Sequence, residues 1–225
     1  MDEKKRKERG NGKSGFACFC ITVFDELWYL VKLNLLFLVG CVPIVTIPMA
    51  FTAALRVTSL LAQERRLPLW QTFRKAYLGE WKRALPCGWA FALLQALAGF
   101  GVFAYGMMMQ ENPLALLPLL AALVIFAVLA VAGFYFHSML AMCELSLADM
   151  LRNAFILAVL EGWRNAAALL ALVACGLIAV LLFPATLPLT IFLLPALGML
   201  AASFAIRRGL GRCMRSWEER NGETE

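Results

Sequence analysis

Apolar runs near 20 residues recur along this chain, and the breaks between them are of two alternating kinds. One kind, "PIVTIP", "QENP" and "FPATLP", contains proline and no lysine or arginine. The other is rich in both basic residues. A run of that length can cross a hydrocarbon layer of about 30 Å. Proline ends such a run because it lacks the N–H that continues a helix and disfavours helical geometry just before it. The alternation restricts the chain to an all-α, polytopic helical membrane bundle of about five to six segments. Composition agrees. The 225 residues are 62% hydrophobic and 16% charged, against roughly 45–50% and about 25% in soluble domains, which leaves too few charges to coat a globule of this size.

The expected segments run from about Leu27 to Val45, Pro48 to about Ala62, Ala84 to Met109, Leu114 to Met142, Ala166 to Phe183 and Leu187 to Ile206. The second is about 15 residues long, below the usual range of roughly 17–25, and so enters the bilayer fully only if it extends into the basic loop. Basic loops stay on the cytoplasmic side. That rule puts both termini, the 63–83 loop and the 143–165 loop in the cytoplasm, and the three proline turns outside. The chain divides into a basic head at 1–15, one membrane domain at 16–210 and a polar tail at 211–225. The basic, then apolar N-terminus reads as an uncleaved anchor, since no small-residue cleavage site follows.

Of the 21 basic residues, six lie in the head, six in "ERRLPLWQTFRKAYLGEWKR" and five after Ile206. These are membrane-flanking patches, and no polar module carries the clustered face of a nucleic-acid reader. Seven cysteines, an odd number, mostly fall in or beside apolar helices and read as small buried hydrophobes rather than a disulfide framework. "CFC" at 18–20 lacks the second pair that a metal site needs.

Few polar residues lie at membrane depth. Lys32 follows Trp28 and Tyr29 by about a turn and can snorkel to the headgroups, with Asp25 on the same helical face. Asn34 is deeper and should point into the bundle as helix–helix glue. Arg56 and Gln95 complete the candidate intramembrane polar set. His137, the one histidine, is seven residues before Glu144. The pair could relay protons, but an interfacial histidine bonded to backbone is the plainer reading. Gly88, Ala92 and Ala96, with Gly99, form a small-residue strip that lets helices approach closely, within the monomer or at a homo-oligomer seam.

Two cytoplasmic amphipathic helices are expected, near 69–85 and 147–161. In the first, Trp70, Phe73, Tyr77 and Trp81 fall on one face, with Arg74, Lys75, Lys82 and Arg83 mainly beside it. That pattern fits a helix in the headgroup plane of an anionic leaflet, or an aromatic and basic docking surface for a partner. In the second, Ser146 and Asp149 resemble a capping box. "FRKAY" and "EWKRA" parallel "LRNAF" and "EGWRNA", as two related halves would, or as chance or the shared chemistry of membrane entry would.

No nucleophile elbow, Walker A motif or dinucleotide fingerprint is present, and no catalytic, cofactor-binding or metal-ligating residue is expected. The run "DELWYLVKLNLLFLVGCVPIVTIPMAFTAALRV" followed by "LWQTFRKAYLGEWKRAL" resembles the YesL family of bacterial membrane proteins. The matching features are Asp25, the Leu33–Leu36 core with Asn34, the turn of Pro43, Val45 and Thr46, Ala53–Ala54 and the Trp70–Trp81 stretch. The glycine common in that family's turn is missing, as Ile47 runs straight into Pro48. The resemblance covers about residues 20–90 and implies a plasma-membrane protein with a role in carbohydrate uptake or its regulation. The expectation is therefore a non-enzymatic accessory protein that contacts anionic headgroups and a carbohydrate importer permease or sensor kinase. Neither loop has the E-A-A-x-x-x-G pattern of an importer permease itself. The alternative is a small passive or secondary transporter with a polar cavity near Asn34, Arg56 and Gln95.

Overall fold

A computed structural model describes residues 22–63, 65, 67–110, 112–143, 145–163, 165–166, 169–170, 173, 177 and 195–204. The head, the tail and most of the fifth and sixth expected segments lie outside these residues. The described chain is helical, with no strand among those residues. Its elements are α1 (Leu27–Gly40), α2 (Ile47–Ala62), α3 (Leu69–Gly79), α4 (Trp81–Met108), α5 (Leu116–Met142), α6 (Leu147–Leu160) and α7 (Pro195–Phe204). Among the described residues, three stretches are long and apolar enough to cross a membrane: Ile44–Ala62, Trp81–Met108 and Pro113–Met142. The chain is a helical membrane protein.

The segment that looked too short, α2, is the centre of the bundle. Thirteen of its 16 residues are buried, and α1, α3, α4 and α5 all pack on it. A helix that is apolar all round must be covered all round, and the small side chains of Ala50, Ala53 and Ala54 let its neighbours come close. The turn into it is tight. A side chain at Gly40 would put its Cβ 3.1 Å from that of Ala50. The Thr46 hydroxyl lies 2.9 Å from the Gly40 carbonyl and 2.8 Å from that of Pro43, closing the turn.

After α2 the chain folds back, and α3 packs antiparallel along it. At the start of α3, the Tyr29 hydroxyl donates to the Leu67 carbonyl. At its end, the Tyr77 hydroxyl reaches the Gly40 carbonyl at 3.4 Å. So α3 covers nearly the whole length of the α1–α2 hairpin. The expected single helix over 69–85 is divided at Glu80, and its last residues open α4 instead.

The long helices α4 and α5 form an antiparallel hairpin. Asn112 starts the connection by accepting from the Leu114 N–H at 3.0 Å. Phe91 faces Gly133, and Gly99 faces Phe126. Apart from Ala115 in the connection, the buried residues of the hairpin lie at one end: Ala84 and Gly88 on α4, Ala132 and Tyr135–Ala141 on α5. The rest of the hairpin carries exposed apolar side chains such as Leu94, Leu97, Phe100, Leu117 and Val124.

The small-residue strip is corrected in part. Gly88 is buried and Gly99 half-buried, but Ala92 and Ala96 are exposed. A strict four-residue step drifts around a helix with 3.6 residues per turn, and the packed line instead takes one shorter step, from Gly88 to Phe91, on its way from Ala84 to Gln95 and Gly99. Ser146 caps α6: the Asp149 N–H donates to its hydroxyl oxygen at 3.2 Å, and that hydroxyl donates to the Asp149 carboxylate at 2.6 Å. Met150, Ala154 and Leu157 of α6 join the Tyr135–Leu140 stretch of α5 in one core cluster.

Candidate functional site

The α3 helix holds itself down by one set of residues and displays another. Leu69, Phe73 and Ala76, at the i, i+4, i+7 spacing of one helical face, turn toward α2, with Phe73 and Ala76 buried. Tyr77 is half-buried beside them, its ring 5.9 Å from that of Phe73. Trp70, Arg74, Lys75 and Leu78 are exposed. The predicted aromatic stripe is therefore split. Phe73 and Tyr77 are anchors, while Trp70 is 61% exposed and Trp81, on the next helix, 48% exposed. The physical reason is that the packed arc centres on Leu69, Phe73 and Ala76, and Trp70 stands at its edge. Lys82 places its ammonium 5.7 Å from the Trp81 ring centroid, within cation–π range, and Arg83 is exposed next to it. Trp70, Arg74, Lys75, Trp81, Lys82 and Arg83 are thus all exposed, three on each of two successive helices.

The three polar candidates lie on three different helices, and Arg56 and Gln95 bond to distant points of α5. Asn34 is fully buried in α1. Arg56, from α2, donates through Nη1 to the Ala141 carbonyl at the end of α5, where a cation is favoured by the helix dipole. Gln95 donates to the Phe126 carbonyl at 3.3 Å, joining α4 to α5. Those two acceptors are roughly 15 residues apart on α5, which is about 22 Å of rise. Lys32 is exposed, its ammonium 5.5 Å from the Trp28 ring centroid.

His137 departs from its expected interfacial, backbone-bonded place. It is buried, with Nδ1 2.8 Å from the Thr52 hydroxyl. Thr52 in turn donates to the Pro48 carbonyl at 2.9 Å. A hydroxyl has one proton, so Nδ1 donates to Thr52. The rings of Phe51 and Phe136 stand edge-on to the imidazole at 5.3 and 5.5 Å. This is a packing site.

Other buried polar groups carried no sequence signal beyond a hydroxyl or amide in an apolar run. Thr58 and Ser203 lie 2.8 Å apart and join α2 to α7, and Ser203 donates to the Met199 carbonyl. Asn165 donates to the carbonyls of Leu157 and Ala158, closing the end of α6. Glu26 and Glu161 are buried at the ends of α1 and α6. Among the described residues, no three histidine, cysteine, aspartate or glutamate side chains are grouped so as to hold a metal ion.

A family profile described as "Protein of unknown function, DUF624" matches residues 30–102. The match takes in most of α1, all of α2 and α3, and α4 as far as Val102, so it contains Trp70, Arg74, Lys75, Trp81, Lys82 and Arg83. No curated protein and no solved structure matches the chain.

Proposed function

We propose that this chain is a non-enzymatic accessory protein of the bacterial plasma membrane, multi-pass with both termini cytoplasmic. Its working surface is the exposed face formed by Trp70, Arg74, Lys75, Trp81, Lys82 and Arg83. The observation that carries the reading is the division of labour on α3. Phe73 and Ala76 hold the helix against α2, so the tryptophans and basic residues are not needed for packing and stay exposed. Exposed Trp and Arg are the side chains that anchor partner contacts, and basic residues near a bilayer are drawn to anionic headgroups. The resemblance to the YesL family supports a carbohydrate importer permease or its sensor kinase as the protein partner.

The test is affinity purification of the tagged protein from its native membrane in mild detergent, followed by mass spectrometry. Near-stoichiometric recovery of a permease or kinase, lost in the Trp70→Ala/Trp81→Ala variant, is the expected result. Recovery of the chain alone, together with solute flux in proteoliposomes, would replace this reading with that of a small transporter.

A further inference from the structure

We infer that the turn between α1 and α2 is a shallow membrane-insertion tip, seated in the same leaflet that the basic face contacts, and that the α1–α2 hairpin does not cross the bilayer. This rests on the membrane placement proposed above. Charge alternation alone would put that turn on the far side, with the other proline turns.

Three observations place it on the near side. First, α3 packs back along α2 and ends beside the turn, where Tyr77 and Phe73 meet Gly40. If α2 crossed the bilayer, α3 would cross back beside it and carry the exposed Arg74 and Lys75 into hydrocarbon, where charged side chains are rare and costly. Second, the turn is tied to the first part of α4. The Trp89 indole N–H donates to the Val45 carbonyl at 3.1 Å, and Gly88 lies against Pro48. Trp89 is about six residues beyond Arg83, hence about 9 Å along the helix. Interfacial elements bury their apolar face by about 5–10 Å. Third, the tip itself is apolar and uncovered: Val42 is 77% exposed, Ile44 69% and Val45 58%.

The α4–α5 hairpin supplies the crossing. Beyond Trp89, the roughly 19 residues from 90 to 108 rise about 28 Å, close to the hydrocarbon thickness of about 30 Å. No Lys, Arg, Asp or Glu occurs between Arg83 and Glu111. Trp81, Lys82 and Arg83 then stand at the headgroups, and Val42, Ile44 and Val45 dip just below them. A non-crossing hairpin leaves both termini on the cytoplasmic side, as a crossing one does, so the orientation of the remainder is unchanged.

The experiment introduces Val42→Cys, Lys75→Cys or Asn112→Cys, one at a time, into the otherwise unchanged full chain. All three positions are exposed, and the one side-chain bond lost, from the Leu114 N–H to Asn112, is itself exposed at the turn. Intact cells and inverted membrane vesicles are treated with a membrane-impermeant maleimide, and labelling is read residue by residue by mass spectrometry. The expected pattern is labelling of position 112 from outside only and of position 75 from inside only. Position 42 stays at background from both sides and becomes reactive once detergent dissolves the membrane. Labelling of position 42 from outside, at the rate of position 112, overturns the insertion tip while leaving the membrane orientation standing. Labelling of position 75 from outside, or of position 112 from inside, overturns the orientation and the inference together.

Discussion

At the scale of single residues, the tightest geometry surrounds His137. Its Nδ1 proton is accepted by Thr52, and its Cε1 would lie 3.2 Å from a Cβ placed on Gly88. The same Cβ would fall 2.3 Å from that of Pro48, whose ring is locked to the backbone and cannot swing aside. Gly88→Ala must therefore push α4 off α2. A loss of about 1–3 kcal/mol is expected, typical of overpacking, measured by SDS-induced unfolding in micelles. Thr52→Val keeps the volume but strands the imidazole N–H. Hydrogen bonds between membrane helices are worth about 0.6 kcal/mol on average and reach about 1.7, so a loss near the upper end, about 1 kcal/mol, is expected. No change in the unfolding midpoint would mean that His137 has another partner. Gly88 was legible from its spacing with other small residues. Its partners were not, because Pro48 and His137 are far from it in sequence and are brought there by the course of α2 and α5.

At the scale of elements, α3 shows how one helix can be read correctly in kind and wrongly in orientation. The alternation of aromatic and basic residues announced an amphipathic helix, and one exists over Leu69–Gly79. Periodicity alone does not say whether Trp70 or Ala76 belongs to the buried arc, since a small residue packs closer than a tryptophan against an alanine-rich partner. Two substitutions separate the arcs. Phe73→Ala removes a buried ring from the core shared with Ala50, Ala53 and Leu55 and is expected to cost about 3–5 kcal/mol. Trp70→Ala removes an exposed one and should change stability by no more than about 0.5 kcal/mol, while reducing binding to vesicles of anionic lipid. Equal destabilisation by the two, in the same unfolding assay, would show that Trp70 is an anchor after all.

At the scale of the whole molecule, apolar length and proline breaks made the helical membrane class legible, and they also marked α2, α4 and α5 as apolar enough to cross. Depth was not legible, because hydropathy cannot tell a helix sheathed by protein from one sheathed by lipid. α2 is buried by its neighbours, whereas α4 and α5 over most of their length are covered by none of the described residues. The molecule thus has two regions, a base centred on α2 and an extended hairpin that leaves it, linked through the buried end of α5. Their separation has an energetic consequence. Gln95 binds at Phe126 and Thr52 at His137, roughly 11 residues or about 16 Å apart along α5. Sites more than about 7–10 Å apart with no shared partner add within about 0.3–0.5 kcal/mol. Gln95→Leu and Thr52→Val should therefore be additive in a double-mutant cycle. Thr52→Val and Gly88→Ala share His137 and should couple by about 0.5 kcal/mol or more. Coupling between Gln95 and Thr52 as large as that within the base would mean that the hairpin and the base unfold through one shared packing unit. Additivity would make the hairpin an independent anchor, on which the base and its basic face are held at the membrane surface.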